Sequence, residues 1–326
     1  MDESYVGRLA PSPTGALHLG NMRSFLIAWA HCRQRQGRLQ LRIEDLHTVR
    51  LKPGAMEQIF EDLRWIGLDW DDGPQNMQEL TQQGASFVQS LNSDRYMNIF
   101  EQLQALGRIY PCSCTRKEIE MVQSAPHGEH ELKYPGTCRN KKPTVAEMRI
   151  STGRQPSWRF VVDNSVTSYC DGLYGPQISC VQDWSGDFVI AQNLQAIAYQ
   201  LAVVVDDHHH GVTHVLRGDD LLASTHRQLQ LYRALNWTPP QFTHLPLLIG
   251  KDGQRLAKRH GDWKVSHLRK LGHSPEKVLG LMAWTLGLCE KGSDLSLSQF
   301  LSMFKLEALQ RQAFTLDAEP EAIFEI

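Results

Sequence analysis

Residues 5–21 read YVGRLAPSPTGALHLGN, which combines a short apolar run, a proline-rich turn and the start of a helical pattern. The run from Tyr5 to Ala10 predicts a strand, and the prolines after it require a turn. A second strand at Leu39 to Ile43 and a helix over residues 56–63 come after the first helix. This order is a βαβ unit and predicts a parallel sheet. The first helix is indicated by apolar residues at helical spacing, namely Met22, Phe25, Leu26 and Trp29.

The character of the chain changes after residue 110. Residues 112–190 contain most of the seven cysteines, many glycines and prolines and several short β-like runs, so we predict an insertion here. Apolar runs typical of a parallel sheet return at Leu201 to Val205 and at Thr213 to Leu216. A last strand is predicted at His244 to Ile249, and the pattern after Lys258 is helical.

The composition is that of a globular protein of about two domains. Apolar residues make up 41% of the chain and charged residues 21%, which argues against disorder. No apolar run approaches the ~20 residues that span a membrane, and the acidic start is not a secretory signal. An odd number of cysteines argues against a disulfide framework. We therefore expect a cytoplasmic protein that binds no membrane, and we also expect a monomer that binds no DNA. A net charge of −2 gives no global nucleic-acid signature.

The loop between the first strand and the first helix is a candidate phosphate site. Ligands bind at this position in parallel sheets, and a helix N-terminus favours anions. His18 stands at the predicted helix start and can donate a hydrogen bond to a phosphate oxygen. A lone His-x-Gly is usually structural, whereas the complete run is far more specific.

The run Gly7 to Gly20 resembles the opening of the glutamyl-tRNA synthetases, including their HIGH-type motif at His18-Leu19-Gly20. The resemblance extends over about residues 5–290. Further motifs of that family follow in the same order, at Arg42-Ile43-Glu44-Asp45, Tyr199, Val204 to His208, Gly211 to Asp220, and Arg255-Leu256-Ala257-Lys258-Arg259, a KMSKS-type loop.

The resemblance implies a class I synthetase fold of the α/β type, with a Rossmann-type parallel sheet, an inserted mixed α+β subdomain with a zinc site, and a short helical C-terminal segment. The predicted boundaries are 1–110 and 191–255 for the two halves of the catalytic domain, 111–190 for the insertion, and 256–326 for the KMSKS-type loop and the C-terminal helices.

The implied activity is activation of L-glutamate with ATP and Mg²⁺, followed by transfer to a tRNA. The resemblance assigns catalysis to His18 and Lys258, and the ATP contacts to these two residues with Gly20 and Arg259. A glutamate pocket needs arginine for the carboxylates and an acid for the ammonium. The implied glutamate contacts are Arg8, Ala10, Ser12, Glu44, Tyr199 and Arg217. Another interpretation of Glu44 is a strand-end acid that pairs with Arg42.

The sequence departs from the family pattern at several positions. Ala257 replaces the usual serine before Lys258, and Asn21 stands where many class I enzymes have a second histidine. Val203 replaces an asparagine four residues after the pocket tyrosine, which predicts a loss of about 1 kcal/mol in glutamate binding. Gln200 is also unusual, without a consequence that the sequence reveals.

Cys112, Cys114 and Cys138 have a spacing moderately specific for zinc, with thiolates as ligands. Relatives with this spacing use a tyrosine as the fourth ligand, here Tyr134. His127 and His130 are alternative ligands, and buried free cysteines are the alternative to a metal site. The remaining cysteines are interpreted as core residues, namely Cys32, Cys170, Cys180 and Cys289. The run His208-His209-His210 is interpreted as a polar loop.

Three functions compete. The first is a glutamyl-queuosine tRNA(Asp) synthetase, a short relative that modifies queuosine in the anticodon of tRNA(Asp). The second is a minimal glutamyl-tRNA synthetase that charges a tRNA 3′ end, and the third is an inactive tRNA-binding paralogue. Residues 259–326 are too few for the helical anticodon-binding region of the full-length enzymes, which favours the first. The intact signature residues argue against the third.

Overall fold

The computed structural model describes residues 4–46, 51–122, 133–139, 141, 144–193, 196–256, 263–317 and 319–324. The strands are β1 Val6–Leu9, β2 Arg38–Leu41, β3 Ile109–Cys112, β4 Ser157–Phe160, β5 Thr167–Asp171, β6 Gly175–Ser179, β7 Phe188–Asn193, β8 Ala196–Ile197, β9 His214–Gly218, β10 Gln241–Leu245, β11 Leu248–Ile249 and β12 Phe314–Thr315. The helices are α1 Leu19–Gln34, α2 Ala55–Ile66, α3 Ser93–Ala105, α4 Arg116–Val122, α5 Val145–Thr152, α6 Val181–Trp184, α7 Tyr199–His209, α8 Leu222–Ala234, α9 Val265–Lys270, α10 Pro275–Trp284, α11 Leu297–Met303 and α12 Pro320–Phe324.

The centre of the fold is built from two parallel strand pairs, β1 with β2 and β9 with β10. The backbone N–H of Thr213 donates to the carbonyl of Val6 at 2.9 Å, so that β9 lies beside β1. Helix α1 connects the first pair and α8 the second, as parallel pairs require. The predicted parallel α/β arrangement is therefore observed. The carboxyl ends of β1, β2 and β9 meet at one edge, where ligands bind in such sheets.

One predicted strand is wrong, and another is divided into two. Residues 201–205 belong to helix α7, whose residues from Leu201 to Asp207 are all buried. A short apolar run cannot distinguish a buried helix from a buried strand, and α7 is buried because it contacts α3, α8 and β7. The strand predicted over 244–249 is divided by Pro246, which lacks a backbone N–H. Its second part, β11, pairs with β12 instead.

The insertion contains an antiparallel sheet in the order β3-β4-β7-β8 and a separate hairpin, β5-β6. The sheet runs from Ile109 to Ile197. The cysteine-containing part has a small apolar cluster of its own, formed by Cys112, Ile119, Tyr134, Cys138 and Met148. The mixed character predicted for this region is observed, and the division of the chain into domains stays a prediction.

The C-terminal helices share one apolar core with the parallel sheet. This core joins residues from Tyr5 to Val88 with residues from Leu245 to Ile323. Helix α10 packs on α2 and α11 on α1, so the C-terminal segment supports the helix that begins after His18. Among the described helices, none combines the length and apolarity needed to cross a membrane.

Candidate active site

A cleft of about 450 Å³ opens at the carboxyl edge of the parallel strands. It brings together all the predicted ATP and glutamate residues that the structure describes: Arg8, Ala10, Ser12, His18, Gly20, Glu44, Tyr199 and Arg217. Lys258 and Arg259 lie outside the described residues, as does Ala257. The assigned roles of these side chains stay predictions, but their convergence from distant parts of the sequence is a property of the fold.

Residues 263–265, which follow the KMSKS-type loop in the sequence, contact the phosphate loop beside His18, the residue that immediately precedes α1. The backbone N–H of Leu19 donates to the carbonyl of Trp263 at 2.8 Å, and that of Val265 donates to Leu17 at 2.9 Å. His18 and Lys264 thus form an antiparallel bridge. The residue range that follows the KMSKS-type loop is therefore anchored next to the phosphate loop.

A buried ion network lies beneath the cleft. Arg42 donates to Asp207 at 2.6 Å and to Glu44 at 3.0 Å, and its side chain is 2% exposed. Arg8 lies 3.5 Å from the same Asp207 carboxylate. The alternative interpretation of Glu44, a salt bridge with Arg42, is therefore observed. Glu44 also lines the cleft, so the two interpretations are compatible.

Burial and charge act in opposite directions on the acids of this network. Burial raises the pKa of Glu44, and the nearby Arg42 and Arg8 oppose this only in part. Burial also disfavours the charged form of Asp207, but Arg42 and Arg8 outweigh it and hold the pKa of Asp207 below its ordinary value. Burial raises the pKa of Tyr199, which keeps its phenol neutral. Asp207 is thus the permanent counterion of the two arginines.

Arg217 differs from these arginines because its hydrogen-bond partners among the described residues carry no acid group. Its Nη2 donates to Thr225 at 2.6 Å and to Gln228 at 2.8 Å, and its Nε donates to His244 at 3.2 Å. Its Nη1 is buried and has no hydrogen-bond partner in the described part of the chain. The guanidinium is therefore fixed on one side, while the described residues leave the hydrogen-bonding capacity of its Nη1 unused.

Gln200 now has a structural role that the sequence did not reveal. Its side chain donates to Ser224 and accepts from Gln228, both at 3.0 Å, and Gln228 in turn holds Arg217. The sequence analysis missed this support, which also includes Thr225 and His244. The available signal was polar side chains at positions 224, 225 and 228 of one helix, and all three are buried.

Val203 is 1% exposed and lies in an apolar cluster with its neighbours on α7. It is one helical turn from Tyr199, yet it is not among the residues that line the cleft. An asparagine at this position would therefore meet apolar neighbours rather than substrate.

We expect Val203→Asn to lower the free energy of unfolding by about 1–3 kcal/mol, because its amide would be buried without partners. Thermal denaturation measures this, with His209→Asn at the exposed end of α7 as the control. A lower KM for glutamate at an unchanged melting temperature would instead support the polar contact that the sequence predicts.

Three cysteine sulfurs converge in the insertion. The Sγ atoms of Cys112, Cys114 and Cys138 lie within 4.8 Å of one another. The hydroxyl of Tyr134 lies 3.4 Å from Cys112 Sγ and 3.7 Å from Cys114 Sγ. Arg159 donates to Cys112 Sγ at 3.2 Å, and its guanidinium covers the Tyr134 ring at 3.8 Å. His127 and His130 lie outside the described residues.

Two other sequence interpretations need correction. Cys170 is exposed in hairpin β5-β6, and Cys180 and Cys289 are half-buried, so only Cys32 of this group is fully a core residue. His208 and His209 form the last turn of α7 rather than a loop. The ring of His208 stacks on Trp237 at 3.7 Å, so this histidine is a packing residue at a helix end.

The family described as tRNA synthetases class I (E and Q), catalytic domain, matches residues 5–316. The chain therefore belongs to this family, and the predicted class I ligase type and α/β fold are confirmed. Among its relatives is a glutamyl-Q tRNA(Asp) synthetase of Symbiobacterium thermophilum, 45% identical over 315 residues that cover 96% of each chain. One from Rhodopirellula baltica is 45% identical over 317 residues, covering 92% of this chain and 90% of the relative.

Among solved structures, a glutamate tRNA ligase from Elizabethkingia meningosepticum in complex with its amino acid is similar, with a TM-score of 0.77 and 25% identity. The similarity covers 96% of this chain and 67% of that one. The predicted resemblance to the short glutamyl-queuosine relatives is thus confirmed over nearly the complete chain.

Proposed function

We propose that this protein activates L-glutamate with ATP and transfers it to queuosine in the anticodon of tRNA(Asp). The observation that carries this proposal is the 45% identity to a glutamyl-Q tRNA(Asp) synthetase across 96% of both chains. The cleft supports it, since cationic groups and the carboxylates of Glu44 and Asp220 converge on a single cavity.

In the first step, a glutamate carboxylate attacks the α-phosphate of ATP, and pyrophosphate leaves. Both reactants are anions, so catalysis consists of positioning and of cationic stabilisation of the transition state. We assign His18 and Gly20 to the phosphates at the start of α1, and Lys258 and Arg259 to the pyrophosphate end. Mg²⁺ accompanies the triphosphate as part of the substrate.

Arg217 supports the choice of glutamate as substrate. A buried guanidinium without an acidic hydrogen-bond partner is costly unless an anion pairs with it. A substrate carboxylate at Nη1 would provide this anion, with Arg8 at the second carboxylate and Glu44 at the ammonium. Ala10, Ser12 and Tyr199 complete the proposed contact set. Glutamine would leave these charges partly unpaired, so the site should discriminate strongly against it.

We also propose a structural zinc ion on Cys112, Cys114, Cys138 and Tyr134. Tetrahedral zinc holds thiolate sulfurs about 3.8 Å apart, at Zn–S distances of about 2.3 Å. The observed spread of the sulfurs fits this arrangement, and Cys114 Sγ lies 3.5 Å from Cys138 Sγ. The ion would join the strand end at Cys112 to the residues around Cys138.

Metal analysis of protein purified without added zinc should give about one equivalent per chain. Cys114→Ala should lose most of this metal and lower the melting temperature, because metal binding is coupled to local folding. Cys180→Ala, at a half-buried cysteine outside the cluster, is the control and should retain the metal. A metal-free wild-type protein with full thermal stability would contradict the zinc site.

The acceptor is tested by incubating the protein with labelled glutamate, ATP and tRNA(Asp) with or without queuosine. Transfer should require queuosine, and periodate oxidation of its cyclopentenediol should abolish transfer. Unmodified transcripts of tRNA(Asp) and tRNA(Glu) are the controls. Charging of unmodified tRNA(Glu) at its 3′ end would favour a minimal glutamyl-tRNA synthetase. Glutamate-dependent ATP–pyrophosphate exchange, measured without tRNA, tests the activation step alone, and no exchange or transfer would favour an inactive tRNA-binding paralogue.

A further inference from the structure

Asp171 connects the inserted hairpin to the active site. It ends β5, and its Oδ1 accepts from the backbone N–H groups of Leu173 and Tyr174, both at 3.0 Å. Its Oδ2 accepts from His244 Nδ1 at 2.6 Å. Both side chains of this pair are 0% exposed, so water does not compete for the bond.

The pair determines which nitrogen of His244 carries the proton. A carboxylate at Nδ1 requires a proton there, and Nε2 then remains an acceptor. Nε2 faces the Nε–H of Arg217 at 3.2 Å, which is a donor that can never become an acceptor. Burial lowers the pKa of His244, which outweighs the opposing effect of Asp171 and keeps the ring neutral.

We propose that Asp171 and His244 are positioning residues that aim Arg217 at a glutamate carboxylate and thereby set the affinity and specificity for glutamate. This inference rests on the proposed function. Hairpin β5-β6 of the insertion would then contribute to amino-acid recognition indirectly, because its Asp171 orients His244 and His244 orients Arg217.

Asp171→Asn is designed to change the orientation of Arg217 while hairpin β5-β6 stays folded. The asparagine oxygen can still accept the two turn N–H groups, so the hairpin keeps its local bonds. Its amide would then face both the ring and the backbone N–H of His244 as a donor, which moves the ring proton to Nε2. Nε2–H could donate to Thr225 Oγ1 at 3.0 Å, but the Nε–H of Arg217 would lose its acceptor, and the guanidinium would shift. His244→Gln retains an acceptor near the Nε2 position and should be the milder change.

The experiment measures glutamate-dependent ATP–pyrophosphate exchange for Asp171→Asn, His244→Gln and the control His226→Gln. His226 is a buried histidine on α8 that pairs with Thr167 at 2.7 Å. We expect Asp171→Asn to raise the KM for glutamate about tenfold, the effect of losing one hydrogen bond to a charged group. The KM for ATP should change less than about twofold, and discrimination against glutamine should fall in parallel. His244→Gln should lie between Asp171→Asn and the control.

A measurement on the wild-type protein tests the proposal even if Asp171→Asn does not fold. Nitrogen-15 spectra of labelled histidine should show His244 neutral, with the proton on Nδ1. A proton on Nε2, or equal KM changes for glutamate and ATP in the folded variants, would overturn the inference. Absence of glutamate-dependent exchange in the wild-type protein would instead contradict the proposed function. The tautomer of His244 would still show whether Asp171 determines which ring nitrogen carries the proton.

Discussion

Arg217→Lys should lower kcat/KM for glutamate on the order of 100- to 1000-fold in ATP–pyrophosphate exchange, the effect of disrupting one buried, hydrogen-bonded charge pair. Lysine keeps the positive charge but not the planar fork. It cannot bond His244, Thr225 and Gln228 and still present two N–H groups to a carboxylate. The KM for ATP should remain close to that of the wild-type protein.

Arg227→Lys is the matched control for this result. Like Arg217 on β9, Arg227 on α8 is buried. Its Nε donates to Ser185 at 3.0 Å, and its guanidinium covers Trp184 at 4.6 Å. It does not line the cleft. If both variants lost activity to the same extent while remaining folded, Arg217 would have no special role in glutamate binding.

The convergence of Arg8, Glu44 and Arg217 could be predicted because each lies in or beside a motif at a strand end. Arg8 is on β1, Glu44 follows β2 and Arg217 is on β9. Parallel strands place such positions at one edge, so the sequence order was sufficient to bring them together. The convergence in the described cleft follows from this rule and from the family resemblance.

The support behind these residues could not be predicted. Asp171 is on a hairpin of the insertion and His244 is on β10, and nothing in their local sequence indicates that they meet at 2.6 Å. The same limit explains the error at α7 and why the sequence could not place Val203 relative to the cleft. Tertiary contacts of α7 on several sides remove the amphipathic pattern by which a helix is recognised, and the position of Val203 relative to the cleft depends on how that helix packs.

Arg42 gives the largest expected effect on stability. Its guanidinium lies among Asp207, Glu44 and Asp206, at 2.6, 3.0 and 3.9 Å. Arg42→Met should lower the free energy of unfolding by about 3–5 kcal/mol, because it removes the paired cation of the largely buried Glu44 and leaves Asp207 only the more distant Arg8 as an ion-pair partner. Arg38→Met, at the first residue of β2, is the control. The Arg38 side chain is 67% exposed and pairs with Asp72 at the surface, where ion pairs contribute little.

The pH dependence of the free energy of unfolding shows whether Arg42→Met destabilises the protein through an uncompensated buried charge or through lost packing. In the wild-type protein the pKa of Asp207 is held below its unfolded value of about 3.9, so its contribution to stability is present above that pH and is lost as pH falls through the folded pKa. Without Arg42, the remaining ion pair of Asp207 is with Arg8 at 3.5 Å, and we expect burial to outweigh it and to raise the folded pKa of Asp207 above the unfolded one. The carboxylate then destabilises the fold at pH 7, and protonation relieves this as pH falls. The difference between Arg42→Met and wild type in urea denaturation should therefore narrow from pH 7 towards pH 5. A loss that stays constant over this range would mean that the methylene packing of Arg42, rather than its charge, stabilises the fold beneath the cleft.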